Sequence, residues 1–283
     1  MWKIGDIVAR KSYGGDIVFR IERLDSRLAV LRGIEYRLLA DAELTDLVRV
    51  EQPESHRGTA EARDKIAESV KKLGIYRELQ KEKEASAAVK QAPPYFELPG
   101  KILHLDGDAS YLQKSMRIYR ELGIPAEGCH VHESMMAEAA RRLLPAVRPD
   151  ILVVTGHDGL IKNSRIADRQ HIGNYKNSFH FVNAVQAARQ YERSRDALTI
   201  VAGACQSHFE ALLQAGANFA SSPGRILIHA LDPVHIAAKA AFTSIRDTIN
   251  IYDVIRHTMS GLEGVGGIES RGSYRKGLPK LEM

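Results

Sequence analysis

Cysteine is scarce in this chain of 283 residues, where only Cys129 and Cys205 are present. Two cysteines without a CxxC pair are too few for a disulfide scaffold and favour a reducing compartment. The chain also lacks an apolar run of about 18 residues, the length that a transmembrane helix requires. Its first residues include Lys3 and Asp6 and do not follow the pattern of a signal peptide. We therefore expect a cytoplasmic protein that does not bind a membrane.

The excess of positive charge is small. Forty Lys and Arg against 35 Asp and Glu give a formal net charge of +5. Nucleic-acid-binding proteins usually carry clustered Lys and Arg, so we expect no specific nucleic-acid partner. A composition that is 44% hydrophobic and 27% charged is typical of globular proteins, and the length predicts about two domains.

Changes of pattern divide the chain into three parts. Short apolar runs separated by turn residues predict a small SH3-like β-barrel over residues 1–52. Residues 53–97 are rich in Glu, Lys and Ala, and the apolar residues Ile66, Val70 and Leu73 lie near helical spacing, which predicts a solvated helical connector. Pro93-Pro94 and Pro99-Gly100 interrupt any helix there, so we expect the main boundary near residue 98.

Residues 98–283 alternate buried apolar runs with amphipathic segments. This order predicts right-handed βαβ units and a parallel sheet with helices on both faces, an α/β fold. The Gly-rich segment that begins at residue 261 is expected to be mobile or extended.

Polar residues follow the apolar runs, at the carboxyl ends of the predicted strands, where ligands bind in open parallel sheets. They are Asp106, Asp108, His130, His132, Glu133, Thr155, His157, Asp158, Cys205, Gln206, Asp232 and His235. His157 and Cys205 form the most reactive pair, because each follows one of two successive predicted strands. The two residues are about 50 positions apart in the sequence. Neighbouring parallel strands would bring the imidazole and the thiol close enough to act on one carbonyl group.

The segments ILVVTGHDG and LTIVAGACQ carry this pair. Together they resemble the paired motifs of the caspase, gingipain, clostripain and legumain group of cysteine peptidases. The resemblance covers roughly residues 101–230 and implies a caspase-like α/β sandwich with His157 and Cys205 as the catalytic dyad. Members of the group usually have Gly directly after the histidine, whereas Asp158 precedes Gly159 here.

The whole chain, from its opening GDIVARKSYGGDIVFRI onward, also resembles the sporulation-specific proteases of endospore-forming bacteria. That resemblance implies a spore-associated enzyme whose partners are protein substrates, namely spore coat or germination proteins cut next to Arg. We expect no cofactor.

A mechanism can be assigned to these residues. His157 would serve as general base and acid for the Cys205 thiol, whose pKa is ordinarily near 8.5. A helix that begins just after Cys205 would favour its thiolate. The amide of Cys205, with that of Asp158 or Gly159, would stabilise the oxyanion.

Cleavage next to Arg or Lys requires an acidic pocket, for which Asp106 and Asp108 are the candidates. The Gly-rich tail contains further basic residues within reach of a protease. Self-cleavage is therefore expected near Arg271, Arg275 or Lys276.

Other interpretations remain open. Cys205 could be an inert buried side chain, and His208 could replace His157 as the base. Cys129, His130, His132 and Glu133 resemble a metal cluster, but an HxH pair on a strand directs both imidazoles away from Cys129, so we expect no metal site.

Two further functions compete with proteolysis. Asp106-Gly107-Asp108 together with Thr155 is similar to the motifs of the haloacid-dehalogenase phosphatases, which require Mg²⁺ and further acidic ligands. A non-enzymatic coat scaffold, with the barrel and connector binding a partner, is the other alternative.

Overall fold

The computed structural model describes residues 1–51, 96–161 and 169–278, together with residues 64, 67–68, 71–72, 74–75 and 78, which are helical. The rest of the predicted connector lies outside the described residues. Within the described parts, no helix combines the length and the hydrophobicity that crossing a membrane requires.

The N-terminal part is a five-stranded antiparallel sheet, as the short apolar runs predict. Its strands are β1 (Ile7–Arg10), β2 (Phe19–Leu24), β3 (Leu28–Gly33), β4 (Leu39–Glu43) and β5 (Leu47–Arg49). They lie in the order β4-β3-β2-β1-β5, so the last strand returns to the side of the first. Phe19, Ile21 and Leu31 alternate with exposed or half-buried neighbours and fill the interior. Cys205 and Ile228 from the second half of the chain belong to the same apolar cluster.

The second part is built on a six-stranded sheet, which confirms the predicted α/β class. Its strands are β7 (Ile102–Asp106), β8 (Ala126–His130), β9 (Ile151–Thr155), β10 (Thr199–Ala202), β11 (Phe219–Ser221) and β12 (Val265–Gly267). The order is β12-β11-β10-β9-β7-β8, and every pairing is parallel except that of β12 with β11. The strands β9 and β10 are direct neighbours, with Ile151 opposite Thr199.

Helices cover both faces of this sheet. They are α1 (Ala109–Glu121), α2 (Met136–Val147), α3 (Ser178–Tyr191), α4 (Phe209–Ala215), α5 (Asp232–Phe242), α6 (Ile251–His257) and α7 (Gly261–Gly264). Alternate residues of β9 face opposite ways: Leu152 and Val154 pack in a core with α2, α3 and α4, whereas Ile151 and Val153 pack with α1, α5 and α6. Burial on both faces explains the uninterrupted apolar sequence of β9.

The Gly-rich tail is extended and is anchored in two sheets. Strand β12 pairs with β11, and β13 (Arg275–Gly277) pairs antiparallel with β6 (Phe96–Leu98). The side chains of Ser270 and Ser273 are buried between these strands. The tail therefore belongs to the packed structure up to residue 278.

Candidate active site

The topology brings His157 and Cys205 to the same edge of the sheet. Strand β9 ends at Thr155, two residues before His157, and the adjacent strand β10 ends at Ala202, three residues before Cys205. Parallel neighbours have their carboxyl ends on one side, so both side chains lie above that edge. Each is completely buried.

The imidazole of His157 is held by the N-terminal sheet. Its Nε2 lies 3.2 Å from the carbonyl oxygen of Gly33, and its Nδ1 lies 3.3 Å from Nη1 of Arg32. Because a guanidinium only donates and a carbonyl only accepts, the proton is on Nε2. Burial, and then the charge of Arg32, lower the pKa of His157 to about 3. The ring is therefore neutral at physiological pH.

The thiol of Cys205 contacts only backbone in its hydrogen bonds within the described part of the chain. Its Sγ lies 3.5 Å from the carbonyl oxygen and 3.4 Å from the nitrogen of Ile228. Burial raises the pKa of Cys205 to about 12, so the thiol is protonated. The expected thiolate is not favoured here, because burial removes the hydration that would stabilise it.

Two amides converge on one carbonyl oxygen beside Cys205. The nitrogens of Cys205 and Asp158 each lie 3.2 Å from the oxygen of Arg37. The amide of Gly159 instead donates to the carboxylate of its neighbour Asp158, at 2.8 Å. Of the two amides considered after His157, it is therefore that of Asp158 which joins the Cys205 amide. A pair of converging donors is the arrangement that stabilises an oxyanion.

The side chain of Arg37 enters a pocket that contains Asp106. Its Nη1 and Nη2 donate to the two carboxylate oxygens of Asp106 at 2.8 and 2.9 Å, and its Nε donates to the carbonyl of Ala230 at 2.9 Å. The guanidinium also lies 4.7 Å from the ring centre of Tyr111. Both members of the ion pair are completely buried. Burial, the largest single effect, raises the pKa of Asp106, but the charge and hydrogen bonds of Arg37 together with His104 hold the pKa well below its usual range.

A buried histidine lies beside this carboxylate. Nε2 of His104 lies 3.3 Å from Oδ2 of Asp106, and its Nδ1 lies 3.1 Å from the hydroxyl of Tyr119. Sequence reasoning missed His104, because it lies within an apolar strand.

Asp108, the second acid proposed for the pocket, has a different position. It is the N-cap of α1, and its Oδ1 accepts from the amides of Ser110 and Tyr111. Its Oδ2 lies 3.9 Å from Nε2 of His157. The structure thus separates the two aspartates: Asp106 binds a guanidinium, and Asp108 lies beside the imidazole.

The carboxylate of Asp158 explains the departure from the His-Gly motif. It accepts hydrogen bonds from the amides of Gly159 and Asn177 and from the hydroxyls of Ser178 and Ser207. Burial raises its pKa, and the four donors oppose that effect. These hydrogen bonds connect the loop after β9 to the start of α3 and to the loop after β10. The backbone amide of Asp158 is thereby directed toward the carbonyl oxygen of Arg37.

Glu133 positions the backbone of His157. Its buried Oε1 accepts from the His157 amide at 2.9 Å. A Cβ atom at Gly107 or Gly156 would overlap this carboxylate, so a larger residue at either position would displace Glu133 from its present place. Its suspected metal partner His132 has an exposed side chain, and no group of three His, Cys, Asp or Glu in the described parts of the chain could hold a metal ion.

His208 and the tail arginines lie in structural contacts. Nε2 of His208 lies 2.7 Å from the carbonyl oxygen of Gln170. Arg275 pairs with Asp150 at 2.8 Å, directly before β9, and the Arg271 amide donates to Asp196. Strand β9 has five residues, so Asp150, the partner of Arg275, lies about 16 Å along the strand from the edge that carries His157.

Sequence reasoning also missed Arg32 and Arg37. Both lie in the N-terminal part, which showed no cluster of titratable residues. The only signal for Arg37 is a charged residue between the aromatic Tyr36 and the leucines 38 and 39, and that pattern is common in ordinary turns and strand ends.

The comparisons with known proteins agree with the expected class of enzyme. Residues 3–279 match the family model described as YabG peptidase U57. The sporulation-specific protease YabG of Bacillus subtilis (strain 168) is 45% identical over 286 residues, covering 98% of each chain. No solved structure matches. The chain is therefore a peptidase that acts on protein substrates, and it belongs to the YabG peptidase family U57.

Proposed function

We propose that this peptidase is a cysteine endopeptidase that uses Cys205 and His157 and cleaves on the carboxyl side of Arg. The similarity to a sporulation-specific protease supports a role in sporulation. We propose spore coat or germination proteins as its natural substrates.

One observation carries the proposal. The carbonyl oxygen of Arg37 receives the amides of Cys205 and Asp158, while the guanidinium of the same residue is bound by Asp106. A protease handles the residue before the scissile bond in this way, with its carbonyl in an oxyanion hole and its side chain in a specificity pocket. The bidentate pair with Asp106 suits a planar guanidinium, so we expect Arg to be preferred over Lys.

The residues suggest how the reaction would proceed. With substrate bound, His157 accepts the thiol proton and the sulfur of Cys205 attacks the Arg carbonyl. The two amides stabilise the tetrahedral oxyanion, and the imidazolium then protonates the leaving amine. Water hydrolyses the resulting thioester. Glu133 and Asp108 do not touch the reacting atoms and would act by positioning His157.

The two competing functions have less support. A phosphatase nucleophile at Asp106 would need a free carboxylate oxygen, whereas both oxygens are bound by Arg37. A scaffold without activity does not agree with membership of a peptidase family.

The proposal is tested with the wild type, Cys205→Ala and His157→Gln, each incubated with an Arg-rich protein and analysed by mass spectrometry. We expect cuts after Arg in the wild type and a loss of at least about a thousandfold in both variants. Iodoacetamide should abolish activity. Undiminished cleavage by Cys205→Ala, or Mg²⁺-dependent phosphate release that resists alkylation, would refute the proposal.

A further inference from the structure

We infer that the loop between β3 and β4 is a built-in substrate, and that the enzyme opens its active site by cleaving its own Arg37–Leu38 bond. This loop, residues 34–38, is called the blocking loop below. The inference rests on the proposed function, because it needs the Cys205 thiol as nucleophile.

The blocking loop fills the positions that a substrate would need. The oxygen of Arg37 takes both amide donors, and its guanidinium takes both oxygens of Asp106. Arg37 has no exposed surface. An Arg of another protein can enter neither the pocket nor the oxyanion hole while this loop is in place.

The loop also lies in the register of a peptide about to be cut. Tyr36 forms an antiparallel bridge with His229, on one side of the site. On the other side Leu38 forms a parallel bridge with Asp158, whose carbonyl accepts from the amide of Leu39 at 2.8 Å. The chain therefore crosses the site in an extended form, paired before and after the Arg37 carbonyl, as substrates bind by strand addition.

The flanks of the blocking loop keep the dyad uncharged. Gly33 and Arg32, which precede the loop, hold the two ring nitrogens of His157. Cys205 is enclosed in the apolar cluster of the N-terminal sheet, together with Leu38 and Ile228. Movement of the loop would thus hydrate both groups at once.

Space is available next to the bond on its leaving-group side. A cavity of about 900 Å³ lies between the N-terminal sheet and loops of the second part of the chain, and its lining includes Leu38, Leu39, Leu160, Gln206 and Leu227. The cavity thus adjoins Leu38, the residue on the leaving-group side of the bond.

The reaction is balanced with water as the only co-reactant. A bond forms between Sγ of Cys205 and the carbonyl carbon of Arg37, and the bond from that carbon to the nitrogen of Leu38 breaks. The thiol proton passes through His157 to the new amine of Leu38. Water then releases a carboxylate at Arg37 and restores the thiol.

The two products should stay together after the cut. Strand β3 lies before the bond and β4 after it, and the two pair from Leu28–Glu43 to Arg32–Leu39. The cut is therefore visible only after denaturation, as fragments 1–37 and 38–283.

The experiment follows purified full-length wild type by denaturing mass spectrometry and by cleavage of an Arg peptide, over a range of protein concentrations. We expect a fragment that begins at Leu38. The half-time of its appearance should not depend on protein concentration, because the substrate is part of the same molecule. Peptide cleavage should appear with the same half-time. Cys205→Ala should stay intact.

Two variants and a matched control complete the test. Arg37→Gln should show no cut at this position. Arg37→Lys keeps the charge opposite Asp106, and its cleavage should be slower than that of the wild type by at least about tenfold. Arg27→Gln removes an exposed arginine from the turn between β2 and β3 and should behave as the wild type. Melting curves of all variants identify any that do not fold. If Arg37→Gln does not fold, the result for Arg37→Lys decides the test.

An Arg37–Leu38 bond that stays intact while the wild type cuts Arg peptides overturns the inference. Cleavage confined to Arg271 or Arg275 also overturns it. So does a half-time of self-cleavage that shortens as the protein concentration rises. A different result would refute the proposed function itself, namely cleavage of external peptides by Cys205→Ala.

Discussion

The carbonyl oxygen of Arg37 lies 3.2 Å from the backbone nitrogen of Cys205, although Arg37 follows a strand of the N-terminal sheet and Cys205 follows a strand of the six-stranded sheet. This contact makes the N-terminal sheet part of the candidate active site. The same sheet supplies the partners of the His157 ring and a wall of the Cys205 environment. Both parts of the chain therefore contribute residues to the candidate active site.

Asp106 and Asp108 should differ in their effect on specificity. We expect Asp106→Asn to lower kcat/KM for Arg peptides by at least about a hundredfold, because breaking a buried ion pair costs about 3–5 kcal/mol. Asp108→Asn should lower it by less than about tenfold and cost about 1 kcal/mol or less of stability through the cap of α1. Steady-state kinetics of both variants provide the measurement. Equal losses in the two would exclude Asp106 as the specificity residue.

The two cysteines should react with alkylating reagents at different rates. Cys129 is partly exposed, whereas Cys205 is buried with its pKa raised to about 12. The test uses full-length Arg37→Lys that is still uncut. Because only the thiolate reacts, iodoacetamide at neutral pH should modify Cys129 first, and Cys205 only after the blocking loop is cut. Peptide mapping at timed intervals measures both rates. Rapid modification of Cys205 in uncut protein would contradict the buried geometry.

Acid should destabilise the uncut protein through His157. Its pKa is lowered from 6.5 to about 3 by folding, so its contribution to stability is complete above pH 6.5 and is lost as the pH falls toward 3. In Cys205→Ala, one such proton lowers the free energy of unfolding by up to about 1.4 kcal/mol per pH unit. Denaturant titrations from pH 7 to pH 4 should show a smaller decline after the additional change His157→Gln. Parallel curves would mean that His157 is not buried in its neutral form.

Loss of the Asp158 carboxylate should loosen the loop that carries its amide. We expect Asp158→Ala to lower the free energy of unfolding by about 2–4 kcal/mol, because four buried donors lose their acceptor. The kcat for Arg peptides should fall as well, since the amide is one of the oxyanion donors. Asp247→Ala, at an exposed position, serves as the control and should change stability by less than about 0.5 kcal/mol. Unchanged stability in Asp158→Ala would refute this role.

Part of the site can be read from the sequence because it depends on local order along the chain. The apolar runs before His157 and Cys205 predict strands, and consecutive crossovers bring neighbouring parallel strands to one edge. The placement of Asp106 at the same edge follows in the same way. These residues could be proposed together because regular topology converts positions along the chain into positions in space.

The amino-acid sequence alone determined the α/β class, the antiparallel sheet before it and the pair of residues at the strand ends. Only the tertiary structure decided that Arg37 occupies the pocket, that the Asp158 amide joins that of Cys205, and that the thiol is neutral. Each of these depends on packing between residues far apart in the chain, since burial and a buried opposite charge set the pKa values and the hydrogen-bond partners. The hydrophobic periodicity within either part of the chain does not predict how the N-terminal sheet packs against the α/β part.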